Sequence, residues 1–76
     1  MNSRTVNTEA VYDELRRIEG EVVQVERQLA EQEALLVALQ RQNEDTRKVR
    51  EELEEMRSQQ RTREHERQRL LSLLHP

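Results

Sequence analysis

The sequence predicts an all-α chain: one long heptad-repeat helix in a coiled coil or helical bundle, with a possible break or hairpin near 43–46. Three observations carry this. Across 76 residues there is one Gly and one Pro, and the Pro comes last. Phe, Trp and Cys are absent, and 38% of residues are charged against 33% apolar. Apolar residues nonetheless recur in alternating steps of four and three, the spacing that lines one face of a helix.

Composition alone leaves two candidates, disorder or extended helix, because so few aromatic and β-branched residues cannot fill a globular core. A chain this short usually needs a disulfide, a metal or a partner to be stable, and it has no cysteine. Periodicity therefore decides for helix.

Residues 1–7 read as a disordered polar tail, and Thr8 is the expected N-cap, with Glu9 in the first turn to complement the helix dipole. The main coiled-coil segment runs over 8–42. Val11, Leu15, Ile18, Val22, Val25, Leu29, Gln32, Leu36 and Leu39 step by four and three, with Leu15, Val22, Leu29 and Leu36 at a and Ile18, Val25, Gln32 and Leu39 at d. A strand would need period two, which only Glu19–Val25 approaches, and the seam runs through that stretch undisturbed. Gly20 falls at f, where it costs about 1 kcal/mol of helix propensity and removes no packing.

Over 43–56 the seam becomes polar. Asn43, Thr46 and Arg50 continue the frame to Leu53, while Val49, Leu53 and Met56 define a second frame shifted by one position. The expected reading is a continuous helix with a three-residue stammer, which would make residues 8–74 a rod of roughly 100 Å at ~1.5 Å per residue. In the alternative, Asn43–Thr46 is a turn and Thr46 caps a second helix that folds back as a hairpin. Residues 57–69 form a charged helix bearing Arg57, Arg61, Arg63, Arg67 and Arg69, with no apolar residue before Leu70 and so no seam of its own. Residues 70–76 hold a cluster of Leu70, Leu71, Leu73 and Leu74.

Charge bears on partners. A parallel self-pair would set Glu14 against Glu19 and Glu21 against Glu26, which is unfavourable, whereas Asn43 at a is a device that fixes register in parallel dimers. Residues 1–38 carry four Arg and eight acids; residues 39–76 carry eight Arg, one Lys and eight acids. The halves are mildly complementary, so an antiparallel homodimer, a hairpin or a basic partner helix would relieve the repulsion. If that repulsion limits self-association, helicity and mass should rise toward about pH 4. Leu35, Val49 and Met56 fall at g and widen the apolar stripe, pointing to more than one neighbouring helix.

The functional expectation is a non-enzymatic structural or scaffold subunit that assembles with other helical proteins as a hetero-oligomer, with homo-oligomerisation as an alternative. The expected interface is Val11, Leu15, Ile18, Val22, Val25, Leu29, Leu35, Leu36, Leu39, Asn43, Val49, Leu53 and Met56, with Leu70, Leu71, Leu73 and Leu74 as a second contact. No catalytic, cofactor or metal site is expected. Glu64, His65 and Glu66 are adjacent on a helix, point about 100° apart and cannot share one ion.

Nucleic-acid binding is disfavoured because Glu64 and Glu66 interrupt the arginines, no aromatic offers a stacking surface, and the net charge is −3. No stretch is apolar enough to suggest a membrane span or targeting signal, so an intracellular location, cytoplasmic or nuclear, is expected, with no membrane or small-molecule partner.

Two short patterns remain. Leu70-Leu71-Ser72-Leu73-Leu74 resembles the LxxLL box of nuclear-receptor coactivators, which implies a helix docking its leucines into a groove; a leucine cluster closing a bundle is the competing reading. Leu15-Arg16-Arg17-Ile18 with Val22 resembles part of the death-promoting helices that dock into apoptosis regulators. Glu19 and Gly20 stand where that family carries a small residue and an aspartate, and the heptad already accounts for the apolar positions.

Overall fold

The computed structural model describes residues 7–75, and within them the chain is two helices and no strand. Helix α1 spans Thr8–Arg41 and helix α2 spans Arg47–Leu74. They pack side by side as a hairpin. Gln32 meets Glu52, Glu33 meets Arg57, Val22 meets Gln60 and Glu19 meets Arg67, so residues farther from the turn on one helix face residues farther from it on the other, and the pair is antiparallel.

This corrects the expected single rod. The molecule measures 65 × 16 × 15 Å, well short of the roughly 100 Å that an unbroken helix would reach. The turn explains the difference. Asn43 adopts φ 57°, a left-handed conformation that Asn tolerates better than most residues. Its N–H donates to Gln40 O at 3.1 Å, and the N–H of Glu44 donates to Leu39 O at 2.9 Å, the paired bonds of a Schellman motif. Carbonyls that a continuing helix would have satisfied are thus satisfied by the chain turning away.

Asn43 and Arg50 are consequently not seam positions. Asn43 ends α1, Arg50 is exposed, and the shifted frame of Val49, Leu53 and Met56 is the inner face of a second helix rather than a stammer.

Both helix starts differ slightly from expectation. Asn7, one residue before Thr8, is the N-cap of α1 and accepts from the N–H of Ala10 at 3.1 Å. The remainder of the expected tail, residues 1–6, lies outside the described residues. Thr46 occupies the N-cap position of α2, but its side chain makes no capping bond; Asp45 Oδ1 accepts from the N–H of Arg47 at 3.0 Å instead. Thr46 Oγ1 accepts from Arg50 Nε at 2.9 Å.

The core lies at the two ends of the hairpin. Far from the turn, Val11, Leu15, Ile18 and Val22 of α1 bury against Leu70, with Leu71 and Leu74 packed on them. Nearer the turn, Val49 and Leu53 are buried, and Leu53 retains only 1% of its exposure. Between these ends the facing residues of α2 are polar: Gln60, Arg63 and Arg67 are half-buried. Two helices sharing seven buried side chains bury little for their length, which leaves such a pair short of the core that sustains most independent domains.

Candidate functional site

The depressions among the described residues are open rather than enclosed, so the candidate site is the outer surface of the hairpin, and its first determinant is how α2 is held on α1. The arginine-rich stretch does this. Arg67 Nε lies 3.2 Å from Glu19 Oε2, Arg57 Nη2 lies 3.4 Å from Glu33 Oε2, and Arg63 Nε lies 3.9 Å from Glu21 Oε1. Three acids that flank the α1 seam are therefore answered from within the chain. Each exposed pair is worth only ~0–1 kcal/mol, so their effect is to favour this alignment more than to hold it.

Around Glu21 the pairs join into a cluster. Arg17 donates to both oxygens of Glu14 at 2.9 Å and to Glu21 at 3.1 Å, and Arg63 reaches Glu21 from the other helix. The guanidinium hydrogen bonds hold the Glu14 carboxyl below its ordinary value and raise Arg17. Glu66 is lowered in the same way by its hydrogen bond from Arg69.

The residues expected at an interface with another chain fall into three groups. Val11, Leu15, Ile18, Val22, Val49, Leu53 and Leu70 are buried between α1 and α2; Val25, Leu29, Leu36, Leu39, Met56, Leu71 and Leu74 are half-buried. Leu35 and Leu73 remain exposed, and Asn43 sits in the turn. Much of the predicted interface is thus consumed within the hairpin.

No family model, curated protein or solved structure matches the chain.

One segment stands out. Ala34-Leu35-Leu36-Val37-Ala38-Leu39 is six consecutive apolar residues in the last two turns of α1. Helix α2 half-covers Leu36 and Leu39, while Ala34, Leu35, Val37 and Ala38 are exposed. A helix that is apolar around its whole circumference is characteristic of an element buried on more than one side.

Leu35 also borders an open depression of about 440 Å³ with Gln28, Glu31, Gln32 and Met56. Gln32 Oε1 is buried at its edge with no hydrogen-bond partner among the described residues, and Gln32 Nε2 makes a long 3.5 Å contact to Glu52. An orphaned buried acceptor costs about 1–3 kcal/mol unless a donor reaches it.

Sequence reasoning singled out Leu35 but not Ala34, Val37 or Ala38. The signal was present in the run itself, because an amphipathic surface helix should interrupt such a run with charge.

Among the described residues no group of three or more His, Cys, Asp or Glu is placed to hold a metal ion, and no helix is long and apolar enough to cross a membrane.

Proposed function

We propose that this chain is a non-enzymatic structural subunit, a helical hairpin that assembles with helices of other proteins and serves as a scaffold or spacer. The observation that carries this is the apolar circumference of Ala34–Leu39, of which α2 covers only one side. The thin core adds weight: a neighbouring helix would supply the burial that seven side chains lack. Docking of the terminal leucines into a partner's groove has less support, since Leu70 is buried and Leu71 and Leu74 pack beside it, leaving Leu73 as the exposed member.

The isolated chain tests this reading. Light scattering after size exclusion reports mass, and circular dichroism reports helix. Assembly with other proteins predicts a monomer of incomplete helicity at micromolar concentration, whose helix content rises when a co-purified partner is added. A strongly helical homo-oligomer at neutral pH would replace the heteromeric reading with self-association.

A further inference from the structure

The face of α1 turned away from α2 carries a second row with the same four-and-three spacing as the buried one. Gly20, Val23, Arg27, Ala30, Ala34 and Val37 form it, and Arg16 and Arg41 continue it at either end. Every one of these residues is exposed, with Val23 retaining 58% and Val37 44% of their surface. At ~100° per residue the row lies roughly 150° around the helix from the buried seam, and of its members Val23 borders α2, across an open depression it shares with Glu64 and Arg67. A Cβ added at Gly20 would meet nothing within 4 Å. Three of the members are small, so a helix laid along the row could approach closely.

The charges say what kind of helix this would be. All three charged members are arginines. Arg16 pairs with its neighbour Asp13, but Arg27 and Arg41 join no ion pair among the described residues. A second copy aligned over the whole row, from Arg16 to Arg41, answers them poorly. Antiparallel pairing that sets Gly20 against Val37 and Val23 against Ala34 also sets Arg16 against Arg41, and parallel pairing sets Arg27 against itself. Like charges in such positions are unfavourable.

We infer that this row binds one helix of a different protein, with large aliphatic side chains opposite Gly20, Ala30 and Ala34 and carboxylates opposite Arg16, Arg27 and Arg41. The inference rests on the scaffold reading above and adds the face used and the chemistry of the partner. α1 then stands between two helices, α2 on one side and the acidic partner on the other.

Two synthetic helical peptides of about 28 residues, long enough for four heptads, test it. Both carry leucines in the four-and-three spacing; one places Glu, the other Lys, at the positions opposite the three arginines. Calorimetric titration of the full chain should show the Glu peptide binding at least about tenfold more tightly, and the R27E/R41E variant should reverse that order. The exposed positions of both arginines predict unchanged helicity in the variant; R27Q/R41Q, which should abolish the preference, serves if the reversal disturbs folding. Equal binding of the two peptides, no binding of either, or a preference that survives R27E/R41E would overturn the inference. So would a photo-crosslinker at Ala34 that joins two copies of the chain. A natural partner that binds wild type and R27E/R41E equally would remove this inference and leave the scaffold reading standing.

Discussion

Gln60 on α2 donates its side-chain amide to the main-chain carbonyl of Val22 on α1 at 2.9 Å, across a gap of 38 residues in sequence. It is the one hydrogen bond found between a side chain of one helix and the backbone of the other among the described residues. The acceptor is a helix carbonyl using its second lone pair, so α1 loses nothing by accepting.

Gln60→Ala should therefore lower stability by about 1 kcal/mol, the net worth of an ordinary intramolecular hydrogen bond. Gln60→Leu should recover that loss, because it buries apolar surface beside Val22 and leaves no unsatisfied helical group behind. Urea unfolding followed by circular dichroism distinguishes the two. An equal loss in both variants would assign the bond a larger share of the hairpin's stability than apolar burial can replace.

Truncating the core should be far more damaging. Leu53 is the most completely buried side chain and Leu70 ties α2 to four residues of α1, so Leu53→Ala and Leu70→Ala should each cost about 2–5 kcal/mol. Leu73→Ala, at an exposed position, should cost far less, about 0.5 kcal/mol. Similar losses at Leu70 and Leu73 would contradict the burial pattern of the terminal leucines.

Helix content, the apolar face of α1 that buries Val11, Leu15, Ile18 and Val22, and the basic character of α2 were legible in the sequence, because each follows from spacing or charge along one helix. The hairpin was visible only as an alternative. Val49, Leu53 and Met56 fit a slipped continuation of the α1 frame as well as they fit a second helix, since a repeat along one line does not distinguish a phase shift from a reversal of direction. Asn43 could have decided it: as the C′ residue of a Schellman motif it marks an end, whereas as an a-position Asn it marks continuation. The arginines of 57–69 show no seam along their own helix, because their partners, Glu19, Glu21 and Glu33, lie far upstream and meet them only after the chain turns back.

Ion pairs within each helix reverse the expected response to acid. Like-charge repulsion in a self-paired coil predicted helicity rising at low pH, but Glu14 and Glu66 accept hydrogen bonds from Arg17 and Arg69 and have lowered folded values. A carboxyl lowered on folding contributes stability that is complete above its ordinary value of 4.5 and is lost as pH falls through the folded value. Thermal unfolding at decreasing pH should show a falling midpoint below about 4.5, with the fall moderated by the exposure of both groups. A midpoint that rises on acidification would show that repulsion among the acids outweighs these pairs.

The turn itself separates hairpin from rod by the sign of two substitutions. At φ 57° a Cβ is unfavourable by about 1–2 kcal/mol unless the residue is Gly or a tolerant Asn, so Asn43→Ala should destabilise by about 1 kcal/mol and Asn43→Gly should be neutral or stabilising. Within a continuous helix the order inverts, because Ala is the best helix former and Gly is worse than Ala by about 1 kcal/mol. The two variants share a site and differ by one methyl group, so burial and charge cancel between them. Glycine above alanine in unfolding midpoint places Asn43 at a helix end; alanine above glycine places it inside one. Small-angle scattering of the same variants supplies the length: the hairpin has a radius of gyration of 17.7 Å, against about 29 Å for a rod of the same residues.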